Sequence, residues 1–85
     1  MDIRYLISYD LLTPGKDYRR LVGELQRLGA TKVLFSAWIL MSSGTSKQIR
    51  DHLMQFIDSN DRMLVGALPT GAAWTTLLTD MPKAA

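Results

Sequence analysis

Asp10 is the residue with the strongest case for chemistry. It follows the apolar run Tyr5 to Tyr9, and a hard carboxylate at the end of a strand suits Mg²⁺, which usually takes one or two carboxylates and completes its shell with water and substrate phosphates. Cysteine is absent and His52 is the single histidine. That composition excludes thiolate chemistry, disulfides and an all-histidine cage, and leaves oxygen ligands. Ser8 lies two residues before Asp10 on the same side of an alternating strand, where a hydroxyl can orient a water or a phosphate oxygen. Ser36 offers the same group from a turn. Each also has a plain structural reading: Asp10 as a turn acceptor, Ser8 as interface filler, Ser36 bonded to its own backbone. Neither serine has a histidine near it in sequence, so acyl transfer has little support. His52 adjoins an apolar helical stripe and reads as a surface residue, with a general-base role only if a second copy brings it to Asp10.

Ten Lys+Arg against eight Asp+Glu leave a net charge of +2, an excess that permits nucleic-acid binding without requiring it. Lys16, Arg19, Arg20 and Arg27 around the first helical segment, with Lys47 and Arg50 on the second, have the charge and reach to follow a phosphate backbone. The same spacings also describe solvated helix faces carrying ion pairs. Tyr5, Tyr9, Phe35 and Trp38 raise the idea of bases stacking on a sheet. The basic-Gly-aromatic octapeptide of RNA-recognition motifs is missing, however, and such aromatics more often fill a core, as Trp74 would at a subunit boundary. No phosphate-loop glycine pattern, zinc spacing or internal repeat is visible.

Periodicity predicts the strands and helices that carry these residues. Ile3, Tyr5, Ile7 and Tyr9 alternate with Arg4, Leu6, Ser8 and Asp10, which predicts a strand with two unequal faces. Pro14 and Gly15 make Leu11 to Gly15 a turn, and Thr13 or Asp17 can cap the helix after it. Tyr18, Leu21, Val22, Leu25 and Leu28 form the stripe of that amphipathic helix, which Gly29 ends in a left-handed conformation. Thr31 to Ser42 is rich in β-branched and aromatic residues and reads as a hairpin with its turn near Ser36, between strands Lys32 to Phe35 and Ala37 to Met41. Thr45 and Gln48 have the spacing of a capping box, opening a helix whose buried stripe is Ile49, Leu53, Phe56 and Ile57 and which Ser59-Asn60 ends. Arg62 to Leu68 is a last apolar strand, stopped by Pro69.

The order strand, helix, strand, strand, helix, strand predicts an α+β, ferredoxin-like βαββαβ domain over residues 1–78. Both helices lie on one face of a four-stranded antiparallel sheet, and the other face is left uncovered. A mixed polar and apolar open face suits a sheet-to-sheet homodimer that brings two Asp10 residues toward a twofold axis. Trp74 to Leu78 is long enough for one extra C-terminal strand on an edge of this or another chain, and 79–85 reads as a flexible tail. A chain of 85 residues buries only about 60% of its unfolded surface, which favours a partner. Aliphatic runs fall far short of the roughly 20 residues of a membrane span, and Asp10 interrupts the one stretch resembling a secretory leader. A cytoplasmic location with no membrane contact is expected.

The Tyr-Leu-Ile-Ser-Tyr-Asp-Leu-Leu run at 5 to 12 resembles the opening strand of the small CRISPR-associated nucleases of the adaptation complex. The helix ending in Leu28-Gly29-Ala30, the Lys-Val-Leu-Phe-Ser-Ala-Trp segment at 32 to 38 and the Asn60-Asp61-Arg62 approach to the last strand are similar to later landmarks of that family. The layout is also similar to VapD-type toxins. The resemblance implies a ferredoxin-like homodimer in which Asp10 of each subunit gathers a divalent ion, Mg²⁺, for phosphodiester cleavage of RNA or DNA. For other members it implies a noncatalytic bridge that binds duplex DNA and a protein partner. Two positions depart from the pattern: Leu34-Phe35 stands before Ser36 where the family often has Gln, and Ile39 follows Trp38 where an acidic residue is common.

Overall fold

The computed structural model describes residues 1–12 and 17–83. Strands β1 (Ile3–Asp10), β2 (Thr31–Leu34), β3 (Ala37–Ser42) and β4 (Arg62–Ala67) alternate with helices α1 (Arg19–Arg27) and α2 (Ser46–Leu53), and a 3₁₀ turn at Met54–Phe56 extends α2. The strands form one antiparallel sheet in the order β2-β3-β1-β4. This is the ferredoxin-like topology expected from the order of apolar patterns.

Local chemistry explains the boundaries. Asp17 Oδ1 accepts the Arg19 amide at 2.9 Å at the start of α1, and Gly29, at φ +82, ends its last turn in a region that disfavours a Cβ. Thr13, the other expected cap, lies outside the described residues together with most of the first turn. Thr45 and Gln48 form the full capping box: the Thr45 hydroxyl accepts the Gln48 amide at 3.1 Å and Gln48 Oε1 accepts the Thr45 amide at 2.9 Å. The regular part of α2 stops at Leu53, earlier than Ser59-Asn60, and the 3₁₀ turn continues from there.

The hairpin turn is Phe35-Ser36, so Phe35 belongs to the turn and not to the strand expected to contain it. No described residue other than glycine has positive φ, which rules out the mirror-image turns that match strand twist in two-residue loops. A register shift between Lys32 and Leu34 takes up the mismatch.

The first face of the sheet carries Tyr5, Ile7, Tyr9, Trp38 and Leu40, closed over by Leu21 and Leu25 of α1 and Ile49 and Leu53 of α2. Ile7, Leu21, Leu25 and Leu53 are fully buried, each such side chain contributing about 1.5–3 kcal/mol by removal from water. Trp38 Nε1 donates to Tyr9 Oη at 2.9 Å, satisfying both polar atoms inside this core.

The second face departs from expectation. It is not left bare: the chain after β4 returns across it, and Leu68, Leu77 and Met81 pack on Val33, Ala37, Ile39 and Leu6. Arg4 is the reason. Its guanidinium, 5% exposed, donates to the carbonyls of Leu68 (3.0 Å), Pro69 (2.8 Å) and Pro82 (2.9 Å) and lies 5.9 Å from the Trp74 ring centroid. A buried charge needs such partners, and only the returning segment supplies them. Trp74 to Leu78 is not a fifth strand, because it forms no ladder with either edge strand and the bonds of Arg4 to Leu68, Pro69 and Pro82 draw the chain over the face. It meets the sheet backbone through the Leu78 amide, which donates to the Val33 carbonyl at 2.9 Å. No described helix is long and apolar enough to cross a membrane.

Candidate site at the Asp10 end of the sheet

The returning segment covers one half of the second face and stops short of the other. At that open end β1 presents Ser8, half-buried, and Asp10, exposed. Antiparallel register sets Asp10 against Arg62 and Ser8 against Leu64 of β4. Asp10 Oδ2 lies 3.8 Å from Arg62 Nη1, with both side chains mostly in solvent. On its other side β1 meets the hairpin: the Tyr9 amide donates to the Ser36 carbonyl at 3.1 Å. One shallow groove is lined by Ser8, Asp10, Arg62 and Leu64, and a second by Asp10, Leu11, Leu12 and Ser36. Sheet register therefore brings Asp10, Ser8 and Ser36, singled out from sequence, to one end of the sheet.

The candidate phosphate-binding cations lie elsewhere, on the helical layer across the sheet. Arg19 is held by Asp17 at 2.7 Å and Arg27 by Glu24 at 2.6 Å. Lys47 and Arg50 share Asp51 at 2.9 and 2.8 Å. Arg20 lies over the Phe56 ring at 5.5 Å, and Lys16 is outside the described residues. The pairing leaves its mark on the acids. Hydrogen bonds from Arg19 hold the Asp17 carboxyl down at about 2, and hydrogen bonds from Arg27 and then His52 hold Glu24 down at about 2. Lys47 and then Arg50 lower that of Asp51.

His52, expected to be a plain surface residue, links the two helices. Its Nε2 faces Glu24 Oε2, its ring meets Phe56 edge-on at 5.7 Å, and Gln55 Nε2 donates toward Nδ1 at 3.5 Å. It belongs to the helical layer and not to the Asp10 end.

For a divalent ion, the Asp10 end of a single chain supplies one carboxylate and two hydroxyls. Among the described residues no group of three or more His, Asp or Glu is arranged to hold a metal. The donors suit a hard cation in kind; one chain supplies a single carboxylate, and water, substrate oxygens or a second copy of Asp10 would complete the shell.

Residue pattern alone did not single out Arg62, because its partner is set by β1–β4 register. Nor did it find the Arg4 clasp, since Arg4 shares its face with Ser8 and Asp10 and reads there as one more solvent-facing polar residue. No protein-family model matches the chain, and no solved structure matches it either.

Proposed function

We propose that this chain is the protomer of a homodimeric, Mg²⁺-dependent endonuclease that hydrolyses phosphodiester bonds in RNA or DNA, similar to the small CRISPR-associated adaptation nucleases. The observation that carries this reading is the solvent-facing Asp10 carboxylate at the end of a central strand, flanked by Ser8 and Ser36 and beside a cation. In this reading Asp10 of each protomer holds the ion, which when bound supplies charge stabilisation to the phosphate oxygens under attack. Ser8 and Ser36 orient water or a phosphate oxygen, and Arg62 attracts the phosphate. One chain supplies a single carboxylate, and in this reading the partner copy supplies the second. The segment packed on the Arg4 half of the second face confines any sheet-to-sheet contact to the Asp10 end, or must move aside.

One observation favours a second reading, a noncatalytic dimer that binds nucleic acid or bridges to a protein. Arg62 already accompanies Asp10, which opposes a metal there.

Cleavage of labelled single-stranded RNA and duplex DNA, with Mg²⁺, with chelator and with Asp10→Ala, tests the choice. Loss of cutting in both controls supports the nuclease. Cutting that survives the substitution overturns Asp10 as its centre, and no cutting by the wild type leaves the binding module.

A further inference from the structure

The segment that returns over the second face is fastened at few points. Of residues 69–83 none is buried: Ala72, Leu77, Met81 and Pro82 are half-buried and the rest are exposed. No helix or strand forms in it. Its two ends meet at one side chain, since Arg4 bonds the carbonyls of Leu68 and Pro69 at the start and of Pro82 at the finish. Its far side is tied to β2 by the Leu78 amide, which donates to the Val33 carbonyl at 2.9 Å. What lies beneath is the opposite in character. Val33, Ala37 and Ile39 are only 1–4% exposed, and the side chains packed on them from the chain after β4 are Leu68, Leu77 and Met81. A loop that orders fifteen residues while burying so little of itself opens at lower free energy than the domain unfolds.

The homodimer proposed above needs more face than this segment leaves open. The open end offers Ser8, Asp10, Arg62 and Leu64, three of them polar, whereas a stable interface buries about 20–30 residues a side around an apolar centre with a polar rim. Val33, Ala37 and Ile39 are the apolar centre that the open end lacks, and they adjoin it, Ala37 being the β3 partner of Ser8. A second copy of this chain is the occupant that fits. A twofold interface brings the same patch from both sides, so apolar meets apolar, and one acid with one base makes the rim self-complementary in charge.

Resting on the homodimeric reading, we infer that residues 69–82 form a releasable strap latched by Arg4, and that its release admits a second copy of this chain to the second face. The strap-closed chain is the monomer, and the strap-open chain is the form that dimerises.

Sedimentation of the full chain over a concentration series tests this, with hydrogen exchange on the same samples. Wild type is compared with Arg4→Met and with a paired Val33→Cys and Leu78→Cys variant, in a chain that has no other cysteine. Backbones bonded as these two are place their Cα atoms about 5.5 Å apart, within disulfide range. The oxidised pair should stay monomeric at every concentration, and reductant should restore the dimer. Arg4→Met should dimerise at a concentration about tenfold lower than wild type, because a larger fraction of its chains is open. In monomeric wild type the Leu78 amide should exchange well ahead of the amides of β1 and β3. Equal dimerisation of the oxidised and reduced pair, or of wild type and Arg4→Met, overturns the inference and leaves the homodimer standing. So does exchange of Leu78 in step with β1 and β3, which would make the strap part of the global fold. Wild type and Arg4→Met both monomeric throughout would remove the homodimeric reading, and the strap's role with it. A strap that gates dimerisation in a protein that never cuts removes the nuclease alone.

Discussion

The guanidinium of Arg4, in the second position of β1, donates to the carbonyl of Pro82 at 2.9 Å, 78 residues along the chain. That bond, with those to Leu68 and Pro69, fastens β1 to the segment after β4 over the second face of the sheet. It also decides which part of that face stays open.

Arg4→Met removes three charge-assisted bonds and keeps most of the apolar stem. Stability should fall by about 2–4 kcal/mol, a drop of roughly 10 °C or more in melting temperature for a domain of this size. Limited proteolysis should cut first between Pro69 and Lys83. Urea unfolding and mapping of the cuts check both, and an unchanged midpoint would remove Arg4 as the clasp.

Leu25→Ala empties a fully buried position between α1 and the sheet and should cost about 2–5 kcal/mol. Leu64→Ala, at a 60% exposed position on β4, should stay within about 0.5 kcal/mol. Paired denaturation curves read the difference.

Thr45→Ala deletes one half of the capping box of α2 and should cost about 1 kcal/mol, whereas Thr45→Ser keeps the acceptor and most of the stability. Helical circular dichroism followed through a urea titration separates the two.

Glu24 joins α1 to α2, with Arg27 as its stronger partner and His52 as its second, and its carboxyl is depressed from 4.5 to about 2. Because the folded value lies below the unfolded one, the stabilisation is fully present above about pH 5. It is lost as pH falls from there toward 2. The stability gap between wild type and Glu24→Gln should therefore close as pH falls from about 5 toward 2. A gap that widens as pH falls would contradict the linkage.

Asp10→Ala should leave stability within about 0.5 kcal/mol, since the carboxylate is exposed and its pair with Arg62 is long. Equilibrium unfolding of this variant is the control that lets its loss of cleavage be read as chemistry. A large destabilisation would give Asp10 a structural role.

Local pattern in the chain was enough for the order of elements, the capping box that opens α2 and the glycine that ends α1, but not for the end of α2, which stops at Leu53. Each of these rests on neighbours within a few residues: alternation of Tyr5, Ile7 and Tyr9, the stripe of Leu21 and Leu25, the Thr45 to Gln48 spacing, and glycine at 29. The ion pair of Glu24 with Arg27 is likewise local, its residues lying one helical turn apart. Folding of the whole chain fixes what lies beside Asp10, since Arg62 reaches it only through the β1–β4 register. It likewise fixes the burial of Arg4 and the closing of half of the second face by the last segment. A charged residue on a strand can point to solvent or be satisfied by distant carbonyls, and nothing local distinguishes the two. The choice belongs to whichever segment returns to supply the partners, and that is settled by the packing of the whole chain.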